Sequence, residues 1–190
     1  ADISWYNDSQ TFFTINTAEQ LAGLAKLVND GNNFSGKTIK LGEDIDLAGL
    51  PWIPIGTGNS AFKGNFDGNN KKISNLYINS NAYINRGISH NGLFGNSQAG
   101  KIENVTLENV KIIINTPDDT NYSYTGSLAG LAQFVDNVTV TGSINIEVTG
   151  GARYVGGIVG HLYNGAMTNC KMNSTDGYGL ISGKYDVGGL

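Results

Sequence analysis

A chain of 190 residues with 39% hydrophobic and 15% charged side chains is long enough to bury the core of one domain and too apolar to be disordered. Its 12 Lys and Arg against 16 Asp and Glu leave a formal net charge of −4, which argues against a nucleic-acid partner and a basic membrane-surface patch. No apolar run approaches the ~20 residues of a membrane span.

Gly 27 against Pro 3, with Ile, Val, Thr, Tyr and Asn filling the intervals, predicts an all-β chain of many short strands joined by tight turns. In chain order, the first clear signal is helical. Thr17-Ala18-Glu19-Gln20 has capping-box form, and Leu21, Leu24, Ala25, Leu27 and Val28 then fall on one face up to Asn29-Asp30-Gly31. Gly23 inside this stretch costs about 1 kcal/mol against alanine, so the helix needs packing to persist. Residues 1–36 read as an N-terminal strand and capping helix, and 37–190 as the repeats it covers. Thr38-Ile39-Lys40-Leu41 and Asp44-Ile45-Asp46-Leu47 are strand-like and form the first coil.

Self-similarity dominates the remainder. Asn91-Gly92-Leu93-Phe94-Gly95 aligns with Gly126-Ser127-Leu128-Ala129-Gly130 and with Val155-Gly156-Gly157-Ile158-Val159-Gly160, and Val187-Gly188-Gly189-Leu190 opens a further copy. A second block follows each complete copy: Ile102-Glu103-Asn104-Val105, Val135-Asp136-Asn137-Val138 and Met167-Thr168-Asn169-Cys170, with Ile73-Ser74-Asn75-Leu76 as an earlier relative. Asn75, Asn104, Asn137 and Asn169 therefore recur at 29, 33 and 32 residues. Between them Val105, Leu107, Val110, Ile112 and Ile114, then Val138, Val140, Ile144, Ile146 and Val148, alternate with polar residues. Period-2 alternation inside a ~30-residue repeat predicts a parallel β-helix, a β-solenoid whose coils stack ~4.8 Å apart. The four asparagines are expected to form one ladder at an inner bend. The truncated final copy reads as a piece of something longer.

These residues resemble a known family. The order Phe13-Thr14-Ile15, Thr17-Ala18-Glu19-Gln20-Leu21, Gly36-Lys37-Thr38-Ile39, Asp44-Ile45-Asp46-Leu47, Trp52-Ile53-Pro54-Ile55-Gly56 and Phe62-Lys63-Gly64-Asn65-Phe66-Asp67-Gly68 is similar to that of large bacterial surface proteins. The later glycine-bounded hydrophobic pairs resemble GLUG motifs of IgA-specific metallopeptidases and adhesin-like proteins. Where that pattern continues Asp67-Gly68 with Asn-Gly-His-Thr, this chain has Asn69-Asn70-Lys71-Lys72. The resemblance implies a right-handed β-helix, an extracellular or cell-surface location, and further domains of the same polypeptide. It carries over no catalytic residue.

The residues themselves give little sign of catalysis, and the chain is expected not to be an enzyme. Asp44 and Asp46, about 7 Å apart on one strand face, match the spacing of a glycosidase carboxylate pair but equally suit a solvated coil edge. His90 and His161 are the only histidines and lack zinc-site spacing; Asp118-Asp119 lacks the glycine and spaced acids of a calcium loop. Cys170 is the only cysteine and reads as a small buried hydrophobe. No metal or cofactor is expected.

Length variation between repeats concentrates just before each glycine-rich strand, which in a solenoid places the loops along one edge. Those loops hold Tyr83, Tyr122, Tyr124, Tyr154, Tyr178 and Tyr185, with Asp118, Asp119 and Arg153 among them. Tyrosine beside carboxylates suits a glycan or an extracellular protein, and equally suits packing of loops onto the coils. The function expected is an adhesive or ligand-binding module or a rigid stalk; the alternative is an accessory substrate-binding region of a secreted metallopeptidase or polysaccharide-degrading enzyme.

Overall fold

In the computed structural model the alternating segments are strands, each paired in parallel with its counterpart from a neighbouring repeat. The structure describes residues 1–79, 88–116, 122–150, 154–175, 179–183 and 186–188. The elements are β1 (Phe12–Ile15), α1 (Ala18–Asn29), β2 (Thr38–Leu41), β3 (Ile45–Asp46), β4 (Asn65–Asn79), β5 (Ile88–Asn91), β6 (Phe94–Asn96) and β7 (Lys101–Thr116). They continue with β8 (Tyr122–Thr125), β9 (Ala129–Gly150), β10 (Val155–Gly156), β11 (Val159–Thr168), β12 (Lys171–Ser174), β13 (Leu180–Ser182) and β14 (Val187–Gly188). One sheet of ten strands follows the order β1-β2-β4-β7-β9-β11, and a second of four follows β5-β8-β10-β14. The fold is a parallel β-solenoid with a helix near its N-terminus.

The core is the alternation made physical. Ile73, Leu107 and Val140 share one level of three successive coils, as do Leu76, Val110 and Ile144, and all six are buried. Removing each such side chain from water is worth about 1.5–3 kcal/mol, and no coil could achieve it without a neighbour on either side. Phe34, Phe62 and Phe94 continue this filling, their ring centroids 6.1 and 5.4 Å apart. Gly95, Gly130 and Gly160 occupy one level where coil backbones approach closely: a Cβ on Gly130 would lie 2.9 Å from the Gly95 carbonyl oxygen.

Long strands turn corners through asparagine. Asn75, Asn104, Asn109, Asn137 and Asn169 all have left-handed φ values between 52° and 60°. Asparagine tolerates this region because its short amide bonds locally. These residues form two ladders, a departure from the single one expected. Asn137 donates through Nδ2 to Asn104 Oδ1 at 2.9 Å, and Asn104 in turn to Asp67 Oδ1 at 3.1 Å. Asn75 instead accepts from Asn109 Nδ2 at 3.3 Å, at a different corner. The pairing of β4 with β7 shifts between Asp67 and Lys71, and Asn69 and Asn70, both left-handed, fall in that irregularity. Both ladders also lie on the outer surface, Asn137 and Asn109 being exposed.

At the N-terminal end, α1 packs Leu21, Leu24, Ala25 and Val28 into the same core. Thr17 accepts from Gln20 N, while the Gln20 side chain reaches back to the backbone N–H of Asn16 at 2.7 Å. Strand β1 pairs with β2, which makes it the first rung of the ten-stranded sheet.

Candidate functional site

The four-stranded sheet carries a column of aromatic rings. In β5 and β8, Ser89 registers with Ser123, His90 with Tyr124 and Asn91 with Thr125. Alternation sends the serines, Asn91 and Thr125 inward, where Asn91 Nδ2 lies 2.6 Å from Ser89 Oγ and 3.1 Å from Thr125 Oγ1. His90 and Tyr124 therefore face outward, and Tyr154 follows one coil on, its carbonyl accepting from Thr125 N at 3.0 Å. The ring centroids of His90 and Tyr124 are 4.9 Å apart, and those of Tyr124 and Tyr154 5.2 Å, both pairs stacked. Asp186, exposed, occupies the next level, where its carbonyl accepts from Val155 N.

A second file of rings flanks this column. His161, at the start of β11, approaches Tyr124 to 5.5 Å and Tyr154 to 5.2 Å, and Tyr163 lies 6.2 Å beyond it. Tyr163 is 50% exposed, whereas Tyr124, Tyr154 and His161 are half-buried. Burial holds His90 well below the usual imidazole range, at about 4, and its Nδ1 is buried with no hydrogen-bond partner among the described residues. At neutral pH it is an uncharged plate at one end of the column. The arrangement offers apolar ring surface with polar tips, which suits contact with a sugar face or a protein side chain.

Of the residues predicted from the loops, the fold brings Tyr124 and Tyr154 together. Tyr122 begins β8, its backbone registered with Ile88. Tyr83, Tyr178, Tyr185, Asp118, Asp119 and Arg153 lie outside the described residues. His90, His161 and Tyr163 belong to the cluster and were not predicted as part of it. His90 could have been found: it precedes Asn91-Gly92 as Tyr124 precedes Thr125-Gly126 and Tyr154 precedes Val155-Gly156.

The acidic residues weighed for catalysis have other partners. Asp44 Oδ1 accepts from Lys72 N at 2.8 Å; Asp46 Oδ1 accepts from Asn75 Nδ2 at 2.8 Å and from Ala48 N at 2.7 Å. The Asn75 bond, then that of Ala48, holds the Asp46 carboxyl below its ordinary range. Both aspartates tie coil corners together. Cys170 is half-buried against the core, its thiol directed to the Thr168 carbonyl at 3.1 Å. Among the described residues, no group of three or more His, Cys, Asp or Glu side chains is placed to hold a metal ion.

Residues 151–175 match the GLUG motif. The matched segment contains Tyr154, His161 and Tyr163, so the GLUG unit itself supplies three of the five rings of the aromatic cluster, together with Asn169, which donates to Asp136 Oδ1 at 2.9 Å. No curated protein and no solved structure matches the chain.

Proposed function

We propose that this chain is a non-catalytic β-helix module of a larger secreted or cell-surface bacterial protein, and that it binds an extracellular glycan or protein through its aromatic column. The observation that carries this reading is the register that places His90, Tyr124 and Tyr154 on the outside of successive coils, with His161 and Tyr163 beside them. Rings repeated along a stiff axis present a ligand with pre-positioned surface, so little ordering of side chains opposes binding. The GLUG match supports the same reading, because it covers part of the cluster. Stacked coils also give the stiffness that an extracellular spacer needs.

The test is a screen of residues 1–190 against arrayed glycans, mucin and extracellular-matrix proteins, with a Tyr124→Ala/Tyr154→Ala variant in parallel. Saturable binding that the variant loses is the expected result. Absence of binding to any of these at high micromolar concentration contradicts the adhesive reading and favours the rigid stalk.

A further inference from the structure

His90 differs from the tyrosines it lines up with in one respect: its ring can take on a charge in mild acid. The imidazole rests on the Tyr124 ring, 4.9 Å away between centroids and 27° from parallel. A second neighbour is the Thr57–Ser60 turn, where a methyl added to Gly58 would lie 3.7 Å from both Cε1 and Nδ1 of the imidazole.

Nothing in this setting accommodates a positive charge. Nδ1 is buried with no hydrogen-bond partner among the described residues. The titratable groups that face the ring are Tyr124 on β8 and, beyond it, Tyr154 and His161. The Thr57–Ser60 turn supplies none, and β5 itself directs Ser89 and Asn91 inward. Burial alone lowers the pKa of His90 to about 4, and no described carboxylate offsets it. Turned out to water, the same ring takes its ordinary pKa of about 6.5. Protonation therefore favours the outward position by about 160-fold at pH 4 and by about 300-fold in the limit of lower pH. The cation–π attraction that opposes this, an imidazolium over Tyr124, is worth a factor of about two to five.

The ring can leave without the strand. Inside the coil Ser89 Oγ lies 3.2 Å from Ser123 Oγ, and Asn91 Nδ2 donates to Thr125 Oγ1 at 3.1 Å. These bonds flank His90 on both sides and hold β5 to β8 from within, so that rotation of the His90 side chain breaks no contact between the strands. Tyr124 is then left with Tyr154 as its one stacked partner among the described residues.

We propose that the aromatic column is an acid-sensitive switch: on protonation the His90 ring leaves Tyr124 and turns to water, while β5 stays paired with β8 and the solenoid stays folded. A ligand held by the column is then bound less tightly in acid than at neutral pH. That consequence, unlike the switch itself, rests on the binding role proposed above.

The experiment follows residues 1–190, without ligand, by NMR from about pH 7.5 to about pH 3.5. At the neutral end, nuclear Overhauser effects should connect the ring protons of His90 and Tyr124. They should disappear as His90 titrates, with a midpoint between about 4 and 6.5, and the Tyr124 ring signals should move along the same curve. The backbone amides of Leu107 and Val140, in the core, should keep their positions throughout. His90→Tyr, which repeats the residue found at this level in the next two coils, should abolish the Tyr124 transition; His90→Phe serves in its place if the tyrosine variant does not fold. A His90 ring that titrates with its contacts to Tyr124 intact overturns the proposal. So does a ring that makes no such contacts at neutral pH or does not titrate above about pH 3.5. A Tyr124 transition that survives in the variant assigns the effect to His161 and overturns it too, as does loss of the Leu107 and Val140 signals over the same range. None of these outcomes involves a ligand, so the binding role is decided separately, by the screen with Tyr124→Ala/Tyr154→Ala.

Discussion

The rings of Tyr124 and Tyr154 lie one coil apart with their centroids separated by 5.2 Å and their planes 7° from parallel. Such a pair contributes about 0.5–1.5 kcal/mol beyond its buried area. Tyr154 achieves it with a left-handed backbone, φ 63°, an arrangement that disfavours a side chain of this size. Tyr154→Phe is expected to keep full stability, because the ring and not the hydroxyl makes the stack. Tyr154→Ala should lower stability by about 1 kcal/mol, read from urea denaturation midpoints. Equal stability of the two variants would mean that the stack contributes nothing.

The ladder of Asn104 and Asn137 makes a separate prediction. Asn137→Gly keeps the left-handed corner but removes the amide bonded to Asn104, whereas Asn137→Ala loses both. Alanine should therefore destabilise by about 1–2 kcal/mol and by more than glycine does. Urea unfolding of both variants checks the order, and a reversed order would contradict the corner role.

The two largest contributions to the acid limb of stability come from His90 and Asp136. His90 titrates at about 4 in the fold because burial opposes its charge, against about 6.5 when unfolded. The unfolded chain binds the extra proton between these values, so this contribution is complete above about pH 6.5 and is lost as pH falls towards 4. Asp136, which accepts from Thr168, Asn169 and Lys101, is held down to about 2. Its contribution is present above about pH 4 and lost as pH falls through 2. His90→Phe should flatten stability between pH 6.5 and 4, and Asp136→Asn between pH 4 and 2, in unfolding midpoints measured at each pH. A slope unchanged by either substitution would remove that residue from the account.

Much of this was legible in the chain because it is local. The alternation from Val105 to Ile114, the capping box at Thr17 and the spacing of Gly95, Gly130 and Gly160 each map directly onto the solenoid. What sequence spacing could not give was register across irregularities. Asn75 looked like the partner of Asn104, but the shift between Asp67 and Lys71 pairs it with Asn109 instead. His161 and Tyr163 join the column only because the turn between β10 and β11 returns them to it, which no repeat offset reveals.

Gly23 reverses its apparent meaning in the fold. By helix propensity alone Gly23→Ala gains about 1 kcal/mol. In the structure an added methyl overlaps the Asp2 carbonyl, in the N-terminal segment whose Trp5 indole N–H bonds to that same carbonyl at 2.9 Å. Gly23→Ala should therefore lower the melting temperature. A rise would show that residues 2–5 do not pack on α1.

The adhesive reading stands or falls on the aromatic column, and it is read most directly from ring resonances. With the best ligand from the screen titrated into residues 1–190, the NMR signals of Tyr124, Tyr154, His161 and Tyr163 should shift together and saturate with the binding isotherm. Tyr163→Ala should weaken that isotherm at least about tenfold. Saturable binding with these four rings unmoved, and with Tyr163→Ala at full affinity, would place the contact elsewhere on the solenoid and contradict the account.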